Sequence, residues 1–416
     1  MIDVAGTVFF SLAVLHTFLV KKFQHLATKY PEGSVGENIF HLLGEIEVVF
    51  GLWAAVFIGF VSFSSSPIYA VEYLQEKNFT EPLFVFAIMT VCSSRPILEM
   101  ASTLIRKISQ FFPGNGLTAF YFVALTLGCW LGSFITEPAA MTVVALILYR
   151  QIYRSASLSL KYATIGLLFV NISIGGTLTP FAAPPVLMVA EKWGWDVQFM
   201  LQNFGWKGML ASLISTSLVV YRFRGELSSM RWDSSEIGIR IPAWVSVTHL
   251  GFLILIVLSA HYSNVFMGCF LFFLGVVTVT KEYQSPLDLK AGMLVGFFLG
   301  GLVILGGPQR WWLEPILMKL EVFPLYVASL TLTGITDNAA LTYLGSQVPG
   351  LSDASKYALV SGAVVGGGLT VIANAPNPAG FGILNPAFGE EGIAPLKLFK
   401  SALVPTLITA IVYWIF

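Results

Sequence analysis

Charge is scarce in this 416-residue chain: Asp, Glu, Lys and Arg make up 11% of it, with 23 acids balanced by 23 Lys and Arg. A soluble globular domain carries about 25% charged residues, so that class is excluded, and so is any reading from net charge. Long polar segments are missing as well, which leaves no room for a soluble catalytic domain. Cysteine is nearly absent. Cys92, Cys129 and Cys269 lie scattered in apolar stretches without CxxC spacing, which excludes a disulfide framework and a cysteine zinc site and leaves them as small core residues. What is abundant is apolar sequence: 56% of residues are hydrophobic, in recurring runs of roughly 17 to 25 residues, the length that crosses a bilayer as a helix. The first run, Val4 to Val20, has neither a basic leader nor a small-residue cleavage site and reads as a retained membrane helix. The fold class is therefore an all-α polytopic membrane protein.

The apolar sequence repeats itself. Ile135-Thr-Glu-Pro-Ala-Ala-Met-Thr142 returns as Ile335-Thr-Asp-Asn-Ala-Ala-Leu-Thr342, each copy with one acid in an apolar setting. A second pair follows: Gly175-Gly-Thr-Leu-Thr-Pro-Phe-Ala-Ala-Pro-Pro185 matches Gly366-Gly-Gly-Leu-Thr-Val-Ile-Ala-Asn-Ala-Pro376 at both leading glycines, Leu, Thr, Ala and the last Pro. Two halves, each with Gly- and Pro-interrupted membrane segments, are the signature of a secondary transporter whose site lies between the repeats.

Full spans are expected near 4–20, 39–63, 83–103, 162–196, 204–221, 242–260, 264–280, 291–306, 357–384 and 401–416. The stretches 117–149 and 322–345 hold the octapeptides near their middles. Arg106 and Lys107 precede the first, while Arg150, Arg154 and Lys161 follow it. Because basic residues mark the cytoplasmic side, both its ends belong there, which requires a re-entrant hairpin. With two hairpins, 16 of the 23 Lys and Arg fall in cytoplasmic loops. Each half then has three helices, a hairpin, a broken helix and one further helix. Five crossings per half is an odd number, so the second half is inverted. The expected boundaries are 1–221 for the first repeat, 222–241 for a basic cytoplasmic linker and 242–416 for the second repeat.

Glu137 and Asp337 fall at the hairpin turns, with Thr136, Thr142, Thr336, Asn338 and Thr342 as neighbouring oxygen ligands. A carboxylate at mid-membrane costs roughly 2.5 to 3.5 kcal/mol on insertion scales. Helix capping alone would be met by Ser, Thr or Asn, so ion binding is the stronger reading. The broken segments, with Gly175, Gly176, Thr179, Pro184 and Pro185 in one half and Gly366, Gly367, Thr370 and Pro376 in the other, free backbone groups that face ions. Asn374 and Asn377 stand where the first half has Ala183 and Val186, which predicts an asymmetric site. Its main cation position is expected on Asp337, Asn338, Asn374 and Asn377, with Glu137 better placed to carry a proton. Arg95 and Glu99 stand four apart, as a helical ion pair or a counter-charge to the site. Glu45 and Glu47, near a helix start, read as dipole compensation or a proton relay. Pro308-Gln-Arg-Trp-Trp-Leu-Glu314 reads as an interfacial aromatic anchor.

The Asp337-Asn338 tip followed by Gly366-Gly367 and Asn374-Ala375-Pro376-Asn377 resembles the ion transporter superfamily, over nearly the whole chain. Within it the sequence is most similar to sodium/proton antiporters, and His41-Leu-Leu-Gly-Glu45-Ile-Glu47 resembles a segment of the NhaD type. Pro138 in place of Asn, and Ala183 and Val186 in place of Asn, depart from that pattern. The resemblance implies exchange of Na+ or Li+ for H+ by alternating access in a bacterial inner membrane, with lipid as surroundings and no cofactor, while large apolar helices such as 264–280 leave room for a homodimer. Burial favours a protonated carboxyl and a bound cation an ionised one, so the two exclude each other at the same oxygens. Two alternatives stand beside this one. A proton- or sodium-coupled carrier of citrate, dicarboxylate or arsenite shares the fold, although two carboxylates repel an anion by about 4 kcal/mol at 4 Å and an effective dielectric of 20. An intramembrane aspartyl-type enzyme is more remote, since no nucleophile and base accompany the acids.

Overall fold

A computed structural model of the chain describes residues 2–112, 116–230, 241–389 and 391–416. Among these residues every regular element is helical, as a lipid-facing backbone requires, because a helix satisfies its own N–H and C=O groups. Residues 231–240 of the expected linker 222–241, including Arg231 and Arg240, lie outside the described residues.

Among the described residues, five helices are long and apolar enough to cross a membrane: Ile2–Ala27, Gly116–Ile135, Leu158–Leu178, Leu289–Leu317 and Pro395–Ile415. Several expected spans are shorter or interrupted. Stretch 39–63 breaks after Val35–Leu43 at Gly44 and resumes as Val49–Ser64. Stretch 83–103 is a pair, Thr80–Cys92 and Arg95–Ser109, bent by 67°. The bend has a local cause: Ser94 is extended, and Pro96 sits in the first turn of the second piece, where its missing N–H costs no hydrogen bond. Ala243–Leu258 and Ser263–Val279, of 16 and 17 residues, reach about 24 to 26 Å at 1.5 Å per residue. That falls just short of a hydrocarbon core of about 30 Å, a mismatch of the size that bilayers accommodate by local thinning or flanking anchors.

The first octapeptide lies at a reversal. Gly116–Leu125, Leu127–Trp130 and Gly132–Ile135 form the inbound arm, Thr136 turns the chain and Glu137–Leu148 runs out. Gly128 abuts Val144 and Gly132 abuts Ala140, so the arms are antiparallel and the missing side chains allow their close approach. In the second half Val322–Thr333 leads in, residues 334–337 turn and Asn338–Ser346 follows. The two broken helices are Leu158–Gly175 with Pro184–Trp193, and Asp353–Gly366 with Asn377–Leu384.

The hairpins and broken helices pack crosswise. The outbound arm Glu137–Leu148 lies on Asn377–Leu384 of the second half, and Asn338–Ser346 lies on Pro184–Trp193 of the first. A second group of contacts joins Ile2–Ala27 to Val49–Ser64, and Leu289–Gly306 to both Val49–Ser64 and Thr80–Cys92. Both turns thereby come to the middle of the molecule, against the breaks of the two interrupted helices.

Candidate functional site

Three contacts set the register between each hairpin and its own broken helix, and they recur in both halves. The Thr179 hydroxyl donates to the Ser133 carbonyl at 2.6 Å, and the Thr370 hydroxyl to the Gly334 carbonyl at 3.0 Å. Gly175 abuts the Cys129 carbonyl and Gly366 the Leu330 carbonyl. Gly176 lies against the Glu137 carboxylate as Gly367 lies against the Asn338 amide. Each pair places first-half residues 129, 133 and 137 opposite second-half 330, 334 and 338. The octapeptides align one residue differently, putting Glu137 with Asp337. In the fold Glu137 takes the place of Asn338, and Thr136 the place of Asp337.

Helix starts agree with this shift. Asp337 is the N-cap of Asn338–Ser346, and its Oδ1 accepts from the N–H groups of Ala339 at 2.8 Å and Ala340 at 3.1 Å. Thr136 precedes Glu137–Leu148 at φ 70° and ψ 151° and makes no side-chain capping bond. It is the one non-glycine residue at positive φ among the described residues, in a region that a β-branched side chain avoids at a cost of about 1 to 3 kcal/mol.

Glu137 is fully buried, and its Oε2 accepts from the Asn374 Nδ2 at 2.8 Å. Its Oε1 has no partner, and neither do Thr136 Oγ1, Asn338 Oδ1, Asn374 Oδ1 and Asn377 Oδ1, all buried. These atoms are tied into one neighbourhood. The Asn338 N–H donates to the Ala373 carbonyl, the Asn377 N–H to the Asn374 carbonyl, and the Asn377 side-chain amide to the carbonyls of Gly367 and Thr370. Buried polar oxygens are ordinarily hydrogen-bonded. A group of five acceptors with one carboxylate among them has the chemistry to take up a small hard cation or a proton.

The remaining expected ligands divide. Thr142 donates to the Pro138 carbonyl, Thr336 to Leu332, and Thr342 to Asn338 and Ala339, so these hydroxyls are spent on their own helices. Thr179 and Thr370 staple broken segments to hairpins. Pro184 and Pro185 open Pro184–Trp193, and Pro376 is the N-cap of Asn377–Leu384. Asp337 and Asn374 also line a separate cavity of about 220 Å³ together with Glu47. Glu45 is half-exposed and pairs with Lys290 at 2.9 Å. Arg95 and Glu99 line an open cavity of about 1170 Å³ with Arg106, Lys107, Arg150 and Arg154, and Ile135, two residues before Glu137, lines it as well.

Over residues 1–416 the sequence matches the family described as Putative Na+/H+ antiporter. The chain belongs to that family. It is a multi-pass membrane transporter of an antiporter family, and the sequence resemblance to sodium/proton antiporters agrees with that membership. The YdaH transporter of Alcanivorax borkumensis, whose crystal structure is described as having an unusual topology, is similar at 11% identity and a TM-score of 0.45, covering 98% of this chain and 96% of that one. No curated protein matches.

Sequence reasoning missed three buried polar residues of this transporter. Buried Ser133 donates to the Gly175 carbonyl at 2.6 Å and accepts from the Leu178 N–H at 2.9 Å, pinning the first break. Ser173 donates to the Val364 carbonyl at 2.7 Å, tying the broken helices of the two halves together. Lys207, 6% exposed, donates to the Tyr357 hydroxyl at 2.8 Å. Ser133 stands four residues before Glu137 and shares that spacing with many helical serines, so spacing alone did not single it out.

Proposed function

We propose that the chain exchanges Na+ or Li+ for H+ across a bacterial inner membrane by alternating access. The observation that supports this best is the Glu137 carboxylate, buried between halves with one oxygen on Asn374 and the other without a partner. An ionised carboxylate left unpaired in such surroundings is costly, and binding a proton or a cation is the way to neutralise it. Proton and cation compete for the same oxygen, and that competition is the coupling. Asn338, Asn374, Asn377 and Thr136 complete the shell with neutral oxygens. A single carboxylate among amides matches one monovalent charge. Asp337, whose Oδ1 is held by its helix, acts as an outer carboxylate on the 220 Å³ cavity.

The repeats 1–221 and 242–416 form the inverted halves of this machine. The hairpins and broken helices are the body that binds the ion, and the first three helices of each half are the scaffold. The test is exchange in proteoliposomes followed by a pH-sensitive dye. Sodium or lithium pulses should dissipate an imposed pH gradient with wild-type protein and fail to do so with Glu137→Gln. A wild-type response to citrate or arsenite and none to alkali cations would transfer the assignment to an anion carrier. That second reading draws on one observation, the basic residues around the 1170 Å³ cavity. Basic residues near lipid headgroups arise from the positive-inside rule in any transporter, and the carboxylate at the centre favours the cation.

A further inference from the structure

The 220 Å³ cavity has walls of unusual composition. Phe50 and Phe298 meet edge to face with centroids 5.3 Å apart, and Trp312 lines the space with them. Five polar side chains break this apolar surface: Glu47, Asp337 and Asn374, and the hydroxyls of Thr17 and Thr336, which donate to the Val14 and Leu332 carbonyls. Asn374 is 1% exposed and its Oδ1 has no partner. The cavity lies between the scaffold, which supplies Phe50, Phe298 and Glu47, and the second hairpin and break, which supply Asp337 and Asn374.

An inorganic cation needs oxygen on most sides, whereas here most sides are rings and aliphatic groups. Aromatic faces attract a positive charge that carries its own apolar body. An ammonium has three N–H donors and no acceptor, and Glu47, Asp337 and Asn374 supply acceptor oxygens for them. Pockets for drug-sized ligands begin at about 300 Å³, so a cavity of 220 Å³ suits a single ring with a short arm.

We infer that this cavity binds a small organic ammonium ion, its ring among Phe50, Phe298 and Trp312 and its nitrogen toward Asp337, Glu47 and Asn374, and that occupancy arrests transport. Arrest follows from Asn374. Its Oδ1, assigned above to the shell of the transported ion, would be drawn off to the ammonium while its Nδ2 stays on Glu137, so the ligand takes one oxygen from the central site. The ligand also bridges scaffold and hairpin, which have to move apart. Binding stands on the cavity alone, while arrest rests on the transport function proposed above.

Calorimetry on purified protein with benzylammonium, and with benzyl alcohol as its uncharged counterpart, separates the two. Benzylammonium should bind saturably to wild type at least tenfold more tightly than benzyl alcohol, and at least tenfold more weakly to Asp337→Asn and Phe298→Ala. Equal binding of the two compounds to wild type, or no saturable binding, overturns the site without relying on any variant. In proteoliposomes benzylammonium should slow sodium-driven proton movement over the same concentration range. Binding without slowing overturns the arrest. If wild type binds benzylammonium yet moves no proton with any alkali cation, the site stands and the antiport function falls.

Discussion

Glu137 differs from Asp337 in what its oxygens are already doing. Asp337 Oδ1 is committed to two backbone N–H groups, whereas Glu137 Oε1 is committed to nothing. Asn caps a helix as well as Asp does, so Asp337→Asn removes the charge while the helix start remains. That variant should melt within about 0.5 kcal/mol of wild type, as substitutions that break no such feature do, and exchange more slowly. Glu137→Gln should lose sodium affinity at least tenfold, about 1.4 kcal/mol, and lose the pH dependence of whatever cation binding is left. Calorimetric titration with sodium at two pH values reads both effects, and unchanged sodium binding would return the cation to Asp337. Thr136 offers a third case. Relief of its positive φ in Thr136→Gly outweighs or matches the entropy cost of glycine, roughly 0.5 to 1 kcal/mol. The expected result is an equal or higher melting temperature together with weaker sodium binding, since the unpartnered hydroxyl is lost.

At the scale of elements, the sequence made the hairpin and break segments visible but misaligned one against the other. Ile-Thr and Ala-Ala doublets repeat at a spacing of 200 residues, and a match on small and β-branched residues says little about which side chain faces which neighbour. The structural correspondence is set instead by Gly175, Gly176, Gly366 and Gly367, whose missing side chains admit Cys129, Glu137, Leu330 and Asn338. The glycines were legible; what packs on them was not. A methyl group at Gly176 would collide with the Glu137 carboxylate. Gly176→Ala should therefore disable exchange at least tenfold and destabilise by about 1 to 3 kcal/mol, the usual cost of overpacking, as read by proteoliposome exchange and a thermal melt. Interrupted spans were also hard to read, because the 67° bend before Arg95 depends on Ser94 being extended, and hydropathy does not report that. Hairpin sidedness is an expectation from the basic residues. Cysteines placed at Arg106 and Arg150 should react with an impermeant thiol reagent only from the cytoplasm, and ones at Lys319 and Lys356 only from outside. Labelling of 106 and 150 from opposite faces would turn the first hairpin into a crossing.

Across the whole molecule, the two halves are bound together at the place where the ion is proposed to sit. Each outbound hairpin arm leans on the other half's broken helix, Ser173 bonds Val364, and Asn374 bonds Glu137. Hairpins and breaks therefore make one cross-braced unit, and a motion that separated them would cost the Glu137–Asn374 bond in an apolar interior. Motion between this unit and the scaffold costs less, because their contact around Asp337 is interrupted by the 220 Å³ cavity. Thr17 on the N-terminal helix and Thr336 at the second turn line that cavity from the two sides. Cysteines at these positions, with Cys269 replaced by Ser and the buried Cys92 and Cys129 retained, can be joined by a reducible bifunctional thiol reagent of cavity length. Joining them should lower exchange at least tenfold, with recovery on reduction, while a link between Gly128 and Val144, within one hairpin, should leave the rate nearly unchanged once its own packing cost is controlled by the unlinked double mutant. Full exchange with Thr17 and Thr336 joined would mean that the moving boundary does not run through this cavity, and that the hairpins move separately from one another.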